Sequence, residues 1–218
     1  MTITELHIKF DLQPENKINV LKDAAIKCNE RYLFVDSSDG HCYLFDEDGN
    51  EDDVKKLTKI DDGLFYNKSN IKSIIIPDSV ESIGYGAFWA CGNLKSIVIP
   101  DSVENIGNDT FYGCKNLTSI VIPNSVKSIG DWTFGYCENL TSIIIPDSVK
   151  SIGDDAFFAC ENLTSIIIPD SVEWIGYDVF YKCKNLKSVV FKGKTIDQVK
   201  AMENYPFGIK DESIIECI

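Results

Sequence analysis

Apolar and polar positions recur with a fixed 23-residue period through the middle of the chain. One copy, NLKSIVIPDSVENIGNDTFYGCK (93–115), serves as the type. Leu94, Ile97 and Ile99 fit the inward side of a short strand, with Ser96 and Val98 pointing the other way by the two-residue alternation of a strand. Pro100 has no N–H to donate and ends the strand. Asp101 and Ser102 turn the chain, and Val103 and Ile106 return it to the core. Gly107 is expected to take a positive φ at the next corner. Thr110, Phe111 and Cys114 fit one short helical turn whose ring fills the coil. The same inward set recurs in each copy, as Ile74, Ile76, Val80, Ile83, Phe88 and Cys91 in the first. Five full copies span 70–92, 93–115, 116–138, 139–161 and 162–184. Self-similarity at so short a period predicts a solenoid in which each coil buries its apolar face against its neighbours. Six or so large buried side chains per coil amount to about 10 kcal/mol gross, most of it offset by chain entropy. Single coils are therefore unstable and stacked ones stable. Such a body offers an extended surface rather than a closed pocket, which favours binding over catalysis.

The pattern fades at both ends. Leu57 to Ser69 matches the back half of a coil, with Ile60 and Phe65 in the apolar slots, and Asn185 to Phe191 starts a sixth strand. Before the repeat, Thr2 to Leu12 suits a strand. ENKINVLKDAAIKC after Pro14 suits a helix, with Ile18, Leu21, Ala25 and Cys28 at helical spacing. Tyr32–Val35 and Cys42–Phe45 flank an Asp-Gly hairpin signal. After the repeat, Lys194 to Met202 reads as a short helix with Ile196, Val199 and Met202 on one face, NYPFGI as a loop and SIIECI as a closing strand. The expected organisation is an α+β N-terminal cap over 1–50, a solenoid over 51–191 and a C-terminal cap over 192–218. The N-terminal piece could also be a separate binding module.

The motif N-L-x-S-I-x-I-P-x-S-V-x-x-I-G-x-x-A/T-F-x-x-C, repeated over 70–184, resembles the BspA-like leucine-rich repeat. The resemblance implies an α/β solenoid, a right-handed leucine-rich-repeat superhelix with a parallel concave β-sheet, capped at both ends. It also implies a surface or secreted protein acting in adhesion or protein recognition.

Charge narrows the partners. The net charge is -13, the five repeats hold 7 basic and 14 acidic side chains, and Arg31 is the single arginine. Nucleic acid needs a basic stripe, and anionic membrane surfaces need the same. Neither is expected as a partner. The N-terminus lacks a basic region followed by an apolar core, and no stretch approaches the roughly 20 apolar residues of a membrane span. As written, the chain is expected to be soluble and cytoplasmic, against the location the resemblance implies.

Cys91, Cys114, Cys137, Cys160 and Cys183 recur at the repeat period. Coils about 4.8 Å apart allow disulfides by distance, but five equivalent rungs cannot all pair. A ladder of buried thiols is the favoured reading, with disulfides or a metal the alternative. The acidic run from Asp46 to Asp53 opens like an EF-hand loop, but Glu51 and Leu57 occupy the places of its Gly and final Glu. A solvated acidic loop is expected. No catalytic motif, cofactor fingerprint or metal-ligand set appears, and the two histidines, His7 and His41, lie outside the repeat.

Two surfaces remain as candidates. On the concave sheet, a serine ladder (Ser73, Ser96, Ser119, Ser142, Ser165, Ser188) runs beside an apolar ladder (Ile75, Val98, Val121, Ile144, Ile167, Val190). Such a row reads equally as an interaction patch or as plain β-propensity. On the other side Trp89, Tyr112, Phe158 and Tyr181 share the slot after the core phenylalanine, with Tyr85, Trp132, Trp174 and Tyr177 in nearby slots. Tyr and Trp anchor interfaces, although packing between coils explains a half-buried slot as well. The expected function is non-catalytic recognition of a protein partner. Self-association into a virion-type or surface assembly, and carbohydrate binding by the aromatics, are the alternatives.

Overall fold

The structure is a computed structural model that describes residues 58–76 and 78–218 in full, together with the backbone of three earlier strands. Those strands, Ile26–Cys28, Arg31–Val35 and Cys42–Phe45, form an antiparallel sheet in sequence order. Leu33 faces Leu44 across the second pair, as the hairpin signal requires. The helix expected to end at Cys28 gives way there to a strand; the rest of that segment, Thr2 to Leu12 and the acidic run lie outside the described residues.

From Lys59 onward the chain winds as a parallel β-solenoid. Ser73–Ile75, Ser96–Val98, Ser119–Val121, Ser142–Ile144, Ser165–Ile168 and Ser188–Phe191 occupy the same place in successive coils. Register is set by the repeat itself: Ser73 pairs with Ser96, Ser119 with Ser142, and Ser165 with Ser188. The central residue of each strand is buried and its neighbours are open, which is the alternation the sequence shows. A second line of two-residue strands follows each turn, from Lys59–Ile60 through Ser82–Ile83 and Asn105–Ile106 to Trp174–Ile175. Between the two lines, the N–H of Val103 bonds to the carbonyl of Pro100 at 3.1 Å, and the same bond recurs in later coils.

The third side is not helical, contrary to the expectation for Thr110 to Cys114. Backbone N–H groups of alternate residues there bond to the next coil: Asp109 to Asp131, Phe111 to Thr133 and Gly113 to Gly135, at 2.8–2.9 Å. A helix would turn those groups along its own axis; here they hold adjacent coils together. The alternation requires positive φ at two slots per coil, filled by Asp109 and Gly113, by Trp132 and Tyr136, and by Asp155 and Ala159. Gly107 is not one of them. A Cβ on Gly107 would lie 2.7 Å from the Tyr85 nitrogen, so glycine is present for close approach between coils. Gly84, Gly153 and Gly176 are crowded in the same way.

Inside the coil the ring stack is continuous. Phe65, Phe88, Phe111, Phe134, Phe157 and Phe180 follow with centroids 4.8–5.8 Å apart and planes within 8° of parallel. Each repeat cysteine donates its thiol to the carbonyl of the phenylalanine one coil back, Cys114 to Phe88 at 3.2 Å and Cys137 to Phe111 at 3.2 Å. The cysteines are free and form the thiol ladder rather than disulfides. Asparagines at the head of each repeat form another ladder, Asn139 donating to Asn116 and Asn162 to Asn139.

At the C-terminal end Ile196–Lys200 is a five-residue helix closed by a Thr195–Gln198 capping box. Val199 is buried, but Ile196 is exposed, so the expected apolar face is only partly used. Ile215–Cys217 is the expected last strand and pairs in parallel with Ser188–Phe191. Phe207 packs its ring on Phe191 at 6.0 Å, and its carbonyl accepts from the Phe180 N–H at 2.9 Å.

Candidate binding faces

The strands of the first line present one open face. Ile75, Val98, Val121, Ile144 and Ile167 stand in a row, 48–66% exposed. Ser96, Ser119, Ser142 and Ser165 form the exposed row beside them, while Ser73 and Ser188 are half-buried. Val190 is half-buried too, because Glu216 pairs beside it and bonds to Ser188 at 3.3 Å. Lys72, Lys95, Thr118, Thr141, Thr164 and Lys187 border the serine side. Asp78, Asp101, Asn124, Asp147 and Asp170 border the aliphatic side, all exposed. The face is thus striped: acid, aliphatic, serine, and lysine or threonine.

The turn side carries the aromatic stripe. Trp89 packs on Tyr112 at 4.3 Å, Tyr112 touches both Trp132 (5.8 Å) and Tyr136 (5.3 Å), and Trp132 meets Phe158 at 5.0 Å. Tyr181 follows at 5.7 Å. The third coil has Gly135 where the others place a ring, and Trp132 and Tyr136 close over it. A Cβ there would come within 2.9 Å of the Trp132 ring. Phe158 is buried and Trp89, Tyr112, Trp132 and Tyr181 are half-buried, so inter-coil packing accounts for much of the stripe. Trp174 and Tyr177 stand apart: Trp174 lies in the second line of strands, opposite Ser151, and Tyr177 is 62% exposed without a ring neighbour in the stripe. Tyr136 and Tyr66 belong to the stripe and were not singled out by the slot reading. The glycine at the ring position was the signal for Tyr136.

Acids line the stripe. Asp62, Asn108, Asp131 and Asp154 each accept the backbone N–H at the corresponding corner of the next coil, at 2.8–3.1 Å. Burial raises Asp109, and the Asp109 charge in turn raises the Tyr85 hydroxyl. Burial, then the charges of Asp178, Asp154 and Asp131, push Asp155 up to about 6. The thiols are held protonated by burial, with Cys91 pushed up to about 11, Cys183 to about 12, and Cys114, Cys137 and Cys160 well above the usual range. A protonated, buried thiol is no nucleophile.

A family profile described as "BspA type Leucine rich repeat region" matches residues 58–187 in six copies. The chain belongs to that family. Solved structures of similar shape include the T. pallidum leucine-rich repeat protein TpLRR, 23% identical with a TM-score of 0.56 over 74% of this chain and 90% of that one. A leucine-rich repeat protein from Bacteroides ovatus is 27% identical, with a TM-score of 0.52 over 77% of this chain and 49% of that one. A leucine-rich cell surface protein from Faecalibacterium prausnitzii is 25% identical, with a TM-score of 0.50 over 77% and 54%. The chain thus spans about half the length of the last two. No curated protein is significantly similar to it in sequence. Six copies over 58–187 place a family repeat on the half-coil that carries Ile60 and Phe65. Among the described residues, no helix of this BspA-type chain is long and apolar enough to cross a membrane.

Proposed function

We propose that this BspA-type solenoid is a non-catalytic recognition module that binds a protein partner through its Ser/aliphatic face. The observation that carries the reading is the row Ile75, Val98, Val121, Ile144 and Ile167, open to solvent over five coils. β-Propensity explains why such residues sit in strands, but not why the solvent side of every coil is aliphatic when serine or threonine would serve. The groups with chemical potential are engaged elsewhere: the thiols bond to carbonyls, and Asp62, Asp131 and Asp154 cap backbone N–H groups. The cell-surface description of the Faecalibacterium neighbour supports an adhesive setting for such a face.

Ile144→Lys places an ammonium in the middle of the row without touching the buried Ile143. Capture of the partner by the immobilised protein should fall at least about tenfold, a loss of ~1.4 kcal/mol, with the thermal midpoint unchanged. Equal capture by wild type and variant refutes the reading. Self-association is the second reading, favoured by the charge pattern: rotation about an axis parallel to the solenoid sets the Lys72 and Lys95 side of one copy against the Asp78 and Asp101 side of another. Light scattering that gives the monomer mass at every concentration eliminates it.

A further inference from the structure

We propose that the aromatic stripe, with the carboxylates along its edge, is a second docking surface, which takes a lysine- or arginine-bearing polypeptide segment. Slot by slot, Asp109, Trp132, Asp155 and Asp178 succeed one another along the solenoid, one per coil, all at φ of 50–57°. The backbone fixes the spacing: Asp109 bonds to Asp131, Trp132 to Asp154 and Asp155 to Tyr177, each at 2.9 Å. Trp132 therefore has an aspartate in the same slot of the coil on either side, at a coil spacing of about 4.8 Å. A ring set in a row of carboxylate-bearing slots suits a cation, which gains from the ring quadrupole and from the charges together.

Two further observations support a cationic occupant. The stripe already holds ammonium groups of its own chain at its C-terminal end: Lys182 lies over Phe158 at 4.8 Å and over Tyr181 at 5.7 Å, and Lys210 over Tyr181 at 5.6 Å. Toward Trp132 and Trp89 no such lysine is present among the described residues. Among the described residues these acids also lack a cationic partner, although the Tyr85 hydroxyl bonds to Asp109. The ion pairs among the described residues join Lys59 to Asp61, Lys115 to Glu138, Lys150 to Glu173 and Lys184 to Glu161, and none reaches Asp109, Asp155 or Asp178. Asp155 is raised first by burial and then by the neighbouring charges of Asp178, Asp154 and Asp131. A sugar would use the rings and accept hydrogen bonds, but would leave those charges unneutralised. The net charge of -13 steers a basic segment toward this chain.

The test is fluorescence anisotropy with a labelled Arg-Gly repeat peptide, and a Gln-Gly repeat of equal length as control. The Arg-Gly peptide binds and is released by added salt, and the Gln-Gly peptide does not bind. Trp132→Ala weakens binding about tenfold, and the pair Asp155→Asn and Asp178→Asn weakens it by about fivefold or more. Trp132→Phe keeps a ring face in place and retains most of the affinity, which separates loss of the ring from loss of fold. Equal binding of both peptides, full affinity in the Asn pair, or salt-independent binding of a neutral oligosaccharide with none of the Arg-Gly peptide would overturn the proposal. The readout is separate from capture through Ile144, so either surface can fail alone.

Discussion

Gly153→Ala tests the close approach of coils most directly. A Cβ on Gly153 would lie 2.5 Å from the nitrogen of Asp131 and 2.6 Å from the carbonyl carbon of Gly130, both backbone atoms of the preceding coil. Neither can rotate away, so two coils must separate locally. Overpacking of this kind costs about 1–3 kcal/mol. The adjacent bond from the Asp154 nitrogen to Asp131, 2.9 Å long, is strained with it, adding about 1 kcal/mol. Alanine recovers about 0.4–1 kcal/mol by stiffening the unfolded chain. The net loss is about 2 kcal/mol, and with a urea slope of ~2 kcal/mol/M the midpoint falls by about 1 M. Gly92→Ala is the control: its Cβ would meet only the Ala90 oxygen, at 4.0 Å, and later coils carry Lys115 and Glu138 in that slot. Urea unfolding followed by circular dichroism should show Gly92→Ala unchanged or slightly stabilised. If Gly153→Ala lies within about 0.5 kcal/mol of wild type, or if Gly92→Ala is equally damaging, the inter-coil argument fails.

Phe134→Ala removes a fully buried ring from the middle of the stack and should cost about 3–5 kcal/mol. Tyr177→Ala, 62% exposed, should stay within about 0.5 kcal/mol; equal effects in urea unfolding would contradict the ring-stack account. Cys114, Cys137 and Cys160 should resist iodoacetamide at about pH 8 in the native protein and react after unfolding, as mass spectrometry of the digested protein would show; native labelling at Cys137 refutes the buried ladder. Asp155 is pushed from its ordinary 3.8 up to about 6, so the stability it contributes is complete below pH 3.8 and is lost as pH rises through about 6. Partly solvated, it contributes about 1 kcal/mol. Asp155→Asn should flatten the thermal midpoint between those two pH values, and an unchanged slope would dismiss the shift.

The strands, the core and the order of coils were legible because burial follows side-chain period, and the period is written in the sequence. Ile97, Phe111 and Cys114 sit where the pattern puts them. The turn side was not legible. Its backbone needs positive φ at slots filled by Trp132, Tyr136 and Lys182, none of which advertises that conformation. The bonds from each coil to the next over-determine those residues, and single-residue propensity carries no trace of them. Gly107 misled for the same reason: a glycine reads as a left-handed corner, yet here it is the absence of Cβ against Tyr85 that the fold requires. The aromatic stripe was half legible. The slot after the core phenylalanine gave Trp89, Tyr112, Phe158 and Tyr181, but Trp174 and Tyr177 resembled its members in composition only, and Tyr136 entered through the gap at Gly135.

Uniform coils set a limit on what each face can specify. A partner lying along the Ser/aliphatic face meets nearly the same pair of side chains at every step of about 4.8 Å, so sliding by one coil changes little, as in any sheet whose pattern repeats without a marker. That face can supply contact area but not register. Register requires positions where the coils differ, and on the turn side they differ sharply: Gly135 stands where other coils carry a ring, Trp132 interrupts the acids of its slot, and Lys182 closes the far end. A segment that places a cation over Trp132 is fixed along the solenoid, because no other coil repeats the Asp–Trp–Asp succession. If both proposed faces bind, the repeated one would supply affinity and the one whose repeat is broken would supply position.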